Sequence, residues 1–175
     1  TMLLTSLRIA IQDSRINSIV KEEIKQLQMK GLRLEIHGIG SPKLSYIEAV
    51  ILEALRVSPP APVIPEIITD TISLDVGGKQ LELSKGSLVF MPMEGLHTHQ
   101  KNIPNIPLSQ KGQKIFKKTH IDSKMIFPER WKPVSSEGIP YNEDLFEGEF
   151  SSQESIFSFK AGARQCPGKR LALSE

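Results

Sequence analysis

The chain has 175 residues, 39% of them apolar and 6% aromatic, with a formal charge of +2 at pH 7. That length suits one domain or part of a larger one, and so small a charge, with Lys and Arg mostly scattered, gives no footing for a nucleic-acid binder. The single cysteine excludes an internal disulfide framework, and no apolar run approaches the roughly 18 residues of a membrane span.

Residues 2–11 are apolar but few, and Arg8 interrupts them; the chain opens at Thr1 inside what reads as a helix, as a piece of a longer protein would. Residues 13–29 read as an amphipathic helix, with Ile16, Ile19, Val20, Ile24 and Leu27 at helical spacing and Lys and Glu on the other face. A link containing Gly31, Gly38 and Gly40 leads to Ser41-Pro42, which suits a helix start. From there to Val57 a second helix places Ile47, Val50, Ile51, Ala54 and Leu55 on one stripe, and Ser58-Pro59-Pro60 stops it. Short β-like runs follow at 71–76, 80–83 and 87–91, with turns at Gly77-Gly78 and Lys85-Gly86, which predicts a small antiparallel sheet. Residues 98–122 are polar and basic without periodicity and read as a long loop, and 132–155 read as a second, acidic one. Loops of that length are uncommon unless functional or pinned. Residues 167–175 look like the first two turns of a helix. The expected fold class is α+β, mainly α with a small antiparallel β-sheet, in one partial domain spanning 1–175.

The segment that carries chemistry is Phe159-Lys-Ala-Gly162-Ala-Arg164-Gln-Cys166-Pro167-Gly168. A cysteine binds iron as its thiolate, a form favoured by backbone N–H groups and by the positive end of a helix. Pro167 suits the first position of such a helix, where its missing N–H is no loss. Gly162 and Gly168 let the backbone turn tightly and approach a flat macrocycle. Arg164 is suited to a carboxylate partner, and Phe159 to shielding the sulfur from water. The pattern FxxGxRxCxG resembles the haem-binding signature of the cytochrome P450 family at all five specified positions. A chance match in a chain this long is on the order of one in ten thousand, which decides against a merely structural cysteine.

Two further motifs resemble the same family. Glu53-Ala-Leu-Arg56-Val-Ser-Pro-Pro is similar to its ExxR helix and Pro-rich exit, and Phe127-Pro128-Glu129-Arg130-Trp131 to its PERW motif. The resemblance implies a structural triad of Glu53, Arg56 and Arg130, a buried carboxylate held by two guanidinium groups, costly to assemble and costly to break. It implies the C-terminal part of the family's fold, with Cys166 as catalytic residue and metal ligand to haem iron. Phe159, Gly162, Arg164, Cys166 and Gly168 would hold haem b, and the thiolate would favour O–O cleavage. One oxygen atom would be inserted into a small organic substrate, with electrons from NADPH arriving through a flavoprotein reductase. Lys160, Lys169 and Arg170 are a candidate docking patch for that partner. Membrane association would come only from a segment preceding this chain, with an endoplasmic-reticulum address implied by resemblance alone. The alternative is a truncated, non-catalytic fragment of such an enzyme.

The sequence departs from the family in places. Glu66 stands ten residues after Arg56, where a basic residue is usual and reaches a haem propionate. His97-Thr98-His99-Gln100 stands where a His-Arg-Asp-Pro turn is frequent, and 101–118 look like an insertion. The distal acid/alcohol pair that delivers protons would lie at or before Thr1. A zinc site from His97, His99, His120 and Cys166 is a third reading, without the usual ligand spacing, and His37 reads as a loop histidine.

Overall fold

The computed structural model describes residues 2–31, 45–132, 143–151, 155–160, 162–169 and 172. Among them are five α-helices and three two-stranded antiparallel sheets, so the α+β expectation is borne out. The helices are α1 (Met2–Gln12), α2 (Ser14–Met29), α3 (Tyr46–Val57), α4 (Met93–Thr98) and α5 (Gln110–Phe116). The strands are β1 (Val63–Ile67), β2 (Ile72–Val76), β3 (Lys79–Leu83), β4 (Leu88–Pro92), β5 (Ile106–Pro107) and β6 (His120–Ile121).

Asp13 separates α1 from α2: its extended backbone ends the first helix, and its carboxylate accepts from the N–H groups of Arg15 and Ile16 at 2.9 and 3.2 Å. This satisfies two donors that the start of α2 would otherwise leave open. Ile16 and Ile19 are buried as their spacing predicts, but Ile24 is exposed and Glu23, assigned to the wet face, is buried. The Glu23 carboxylate accepts from the N–H groups of Tyr46 and Ile47 at 3.0 and 2.9 Å, tying α2 to the start of α3, and burial raises its pKa. Gly31, with φ +63°, follows α2; Gly38, Gly40, His37, Ser41 and Pro42 lie outside the described residues.

The described α3 begins at Tyr46, behind a capping box in which Ser45 accepts from the Glu48 N–H while the Glu48 carboxylate accepts from the Ser45 N–H. A single apolar stripe was expected; instead α3 is buried nearly all round. Tyr46, Val50 and Ala54 join Ile9, Ile16 and Ile19 in one core cluster, while Ala49, Leu52 and Leu55 join Ile103, Trp131, Ile156 and Phe159 in another. Ile47 and Ile51, placed on the stripe, are only half-buried. A helix between two cores must bury its polar side chains as well, so Glu53 and Arg56 need partners inside the protein.

The expected single sheet is two separate ladders. β2 and β3 form a hairpin, with Val76 opposite Lys79 across Gly77-Gly78. Both glycines have positive φ (+62° and +80°), as a two-residue primed turn requires. β4 pairs instead with β1, Val63 opposite Pro92 through to Ile67 opposite Leu88. Pro65 conceals β1 in the sequence; in a two-stranded ladder its missing N–H can be tolerated.

The long loop expected over 98–122 is corrected by the structure. It contains β5, α5 and β6, with Ile106 opposite Ile121. Ser109 caps α5, its hydroxyl accepting from Gly112 N–H at 3.2 Å. These short pieces bury Ile106, Leu108 and Ile121 with Phe127 in a third cluster, flanked by Phe116 and Phe146. Gly112 lets α5 approach the 3-10 turn Glu143–Leu145: a Cβ there would lie 2.2 Å from the Leu145 carbonyl oxygen. Gly112→Ala would ordinarily favour a helix. Here the backbone contact overrides propensity, and a loss of about 1–3 kcal/mol is expected in urea denaturation. Within 132–155, residues 133–142 and 152–154 lie outside the described residues. The described part meets the loop before α5 through a bridge between Leu108 and Phe146.

Candidate functional site

The centre of the described structure is the Glu53 carboxylate, fully buried on α3. Oε1 accepts from Arg56 Nη2 at 2.8 Å, from Arg130 Nε at 3.1 Å and from the Phe127 N–H at 2.7 Å. Oε2 accepts from Arg56 Nε at 2.8 Å and from the Trp131 indole N–H at 3.0 Å. Arg56 and Arg130 also donate to the Met125 carbonyl at 2.7 and 3.0 Å, and Arg130 donates to the Asp122 carbonyl at 2.9 Å. Burial lowers the pKa of Arg130, against the opposing pull of Glu53. The structure thus brings Glu53, Arg56 and Arg130 together and adds Trp131, whose indole N–H needs a partner once buried. The 3-10 turn Pro128–Trp131 presents Arg130 and Trp131 to the same acid.

Glu129 in that turn belongs to a different cluster. Its Oε1 accepts from the Arg15 guanidinium and from the Tyr46 hydroxyl at 2.9 Å, and Arg15 lies over the Phe127 ring at 4.9 Å. Burial, then the Glu129 charge, pushes the Tyr46 hydroxyl pKa up. α2, α3 and the PERW turn are therefore joined by charge-assisted hydrogen bonds as well as by packing. The motif letters did not disclose this role.

The cysteine loop hangs from this framework. His97, fully buried on α4, accepts the Phe157 N–H at Nε2 (2.9 Å), and the two rings stack with centroids 6.4 Å apart. The next residue, Ser158, donates its hydroxyl to the Leu55 carbonyl at 3.1 Å. Phe159 is buried in the core cluster beside α3, and its carbonyl accepts the Cys166 N–H at 2.8 Å. Cys166 itself is exposed. The Phe159 ring lies with Leu52, Leu55 and Trp131 in the core, where burial of its apolar surface is favourable.

Gly162 adopts φ +64° at the start of the 3-10 turn Gly162–Arg164. A Cβ on Gly168 would lie 3.8 Å from the cysteine sulfur. Pro167 and Gly168 form a turn before the helical residues Lys169 and Ala172, so Pro167 precedes the helix rather than opening it. The rest of 170–175 lies outside the described residues.

A cavity of about 570 Å³ opens beside β1, β4 and α4, within the ~300–1,000 Å³ common to small-molecule sites. Ile64, Met91, Met93, Leu96 and Phe157 give it apolar walls, and Glu66, Lys160 and Arg164 supply its charges. Of the candidate cofactor residues only Arg164 lines it; Phe159, Gly162, Cys166 and Gly168 do not. Glu66 is paired with Lys160, an ion pair that holds its carboxyl below the usual range. Of the candidate docking patch, Lys160 is thus engaged at the cavity, Lys169 is half-buried and Arg170 lies outside the described residues.

The histidines of the zinc reading have separate partners. His99 accepts from the Lys101 N–H at 3.2 Å, and the His120 ring contacts the Thr119 hydroxyl at 3.1 Å. Among the described residues no three His, Cys, Asp or Glu side chains gather to hold a metal. Sequence reasoning placed His97 in a turn; nothing in its spacing shows that it holds the segment before the cysteine.

Burial lowers the pKa of His97, and its Nε2 is occupied as an acceptor. The folded chain therefore resists protonating it, whereas the unfolded chain takes up that proton below pH ~6.5. The His97 contribution to stability is complete above that pH and falls as pH drops towards the folded pKa. His97→Gln is expected to flatten this part of the stability–pH curve. It should also cost about 1–3 kcal/mol at neutral pH through the Phe157 N–H. Glu23, raised by burial, acts in the opposite sense, so the difference between wild type and variant is the measure.

No family model matches the chain. It is similar to Probable cytochrome P450 9f2 of Drosophila melanogaster, 25% identical over 169 residues that cover 94% of this chain. The chain spans 26% of the length of that relative. Along nearly its whole length, then, the chain is similar to part of a cytochrome P450, and its helices with small antiparallel sheets are consistent with a partial fold of that family.

Proposed function

We propose that the chain, read as one partial domain over 1–175, is the haem-thiolate portion of a cytochrome P450 monooxygenase, with Cys166 as ligand to the iron. The observation that carries this reading is the anchoring of the cysteine loop. His97, Leu55 and the Glu53 framework fix Phe157, Ser158 and Phe159, and the loop then presents Cys166 exposed, two residues from an arginine that lines an apolar cavity. Apolar walls with cations at one side suit a flat apolar group bearing acidic substituents.

In this reading Arg164 binds a carboxylate of haem b, and Gly162 and Gly168 keep the backbone low. Phe159 roots the loop in the core, while Glu53, Arg56 and Arg130 clamp the scaffold without touching the reacting atoms. When bound, haem supplies oxygen activation, and a small organic substrate receives the oxygen atom. Electrons come from NADPH through a flavoprotein reductase, with Lys160, Lys169 and Arg170 its candidate docking patch. Membrane association at the endoplasmic reticulum belongs to the same proposal; among the described residues no helix is long and apolar enough to cross a membrane. A second reading, for this chain by itself, is a fragment that binds the cofactor without turnover or has no function.

The test is reconstitution of the full chain with haemin, followed by reduction under carbon monoxide. A thiolate-type Soret band supports the proposal, and a histidine-type band or none overturns it. Turnover with NADPH and a reductase separates the two readings.

A further inference from the structure

At the charged side of the cavity two cations, Lys160 and Arg164, stand with one carboxylate, Glu66. A ligand matching apolar walls and this edge is an apolar body with anionic substituents. Yet Lys160 is already engaged by Glu66, and both side chains are partly exposed, at 32% and 24%. Hydrogen bonding to Lys160, and the charges of Lys160 and Arg164, keep Glu66 ionised at neutral pH.

The pairing is held by the backbone. Lys160 has φ +57°, uncommon for a residue with a side chain. Its N–H donates to the Phe157 carbonyl at 2.8 Å, between the segment pinned by His97 and the cysteine turn.

We propose that Glu66 is the specificity-determining residue of this cavity: an internal anion on Lys160 that a ligand carboxylate must displace. The site thereby discriminates among ligands by the charge at their edge. The inference rests on the cavity being the porphyrin site proposed above. A porphyrin bearing free acids meets the Glu66 charge and must compete for Lys160, whereas the same ring with its acids esterified does neither.

The experiment titrates the full chain with iron-free protoporphyrin IX and with its dimethyl ester, followed by porphyrin fluorescence, so that sulfur–iron bonding plays no part. Glu66→Gln is expected to tighten the free acid by roughly fivefold at low salt, the scale of a partly exposed ion pair, and to leave the ester unchanged. The gain should shrink with rising ionic strength and disappear in the double variant Glu66→Gln, Lys160→Met. Far-UV circular dichroism confirms that the variants fold. If the free acid binds no tighter to Glu66→Gln, or the ester gains equally, Glu66 has no such role while the porphyrin site stands. If no variant binds either porphyrin, both the role of Glu66 and the site are overturned.

Discussion

Glu53→Ala is expected to lower the stability of the chain by about 3–5 kcal/mol, read as a shift of the urea midpoint followed by circular dichroism. The carboxylate is the shared acceptor for Arg56, Arg130, the Phe127 N–H and the Trp131 indole N–H. Removing it leaves two guanidinium groups buried without their acid, and both are fully buried. A buried charge that loses its counterion costs far more than an exposed pair is worth. Against a typical domain stability of ~5–15 kcal/mol this takes a large share of the margin. Glu53→Gln keeps the volume and part of the accepting capacity, so it should fall between wild type and Glu53→Ala. An alanine variant with an unchanged midpoint would mean that the arginines hold the scaffold through their carbonyl acceptors alone.

Cys166→Ser is expected to abolish the thiolate-type spectrum of the reduced, carbon monoxide-bound complex completely, while shifting stability by no more than about 0.5 kcal/mol. The separation follows from the structure. The Cys166 side chain is exposed, and the link to the scaffold runs through its backbone N–H to the Phe159 carbonyl, which serine preserves. In the proposed function the sulfur serves the chemistry, while the backbone N–H serves the architecture. A variant that keeps the thiolate spectrum would sink the assignment of Cys166. One that unfolds would show the sulfur to be structural.

Parts of the candidate site were legible because their signals are local. Cys166, Gly162, Arg164 and Gly168 fall within seven residues whose order is itself the signal, and Glu53 and Arg56 share a helix face by their spacing of three. Arg130 was reached through its motif neighbours. The remainder was hidden because its signals join distant segments. His97 and Phe157 are 60 residues apart, and Lys160 and Glu66 are 94 apart. The sequence could mark Glu66 as a departure from the basic residue usual at that position, but not that a lysine of the cysteine loop would pair with it.

The same division runs through the fold. Helical periodicity, the proline stop after α3 and the Gly77-Gly78 turn are short-range properties of the chain, and sequence alone determined the α+β class from them. The partner of β4, the helical state of 110–116, the two-sided burial of α3 and the inward position of Glu23 were settled only by tertiary structure. The physical reason is range. Backbone preference acts over a few residues, whereas a strand, a short helix or a buried acid is stabilised by whatever the rest of the chain brings against it.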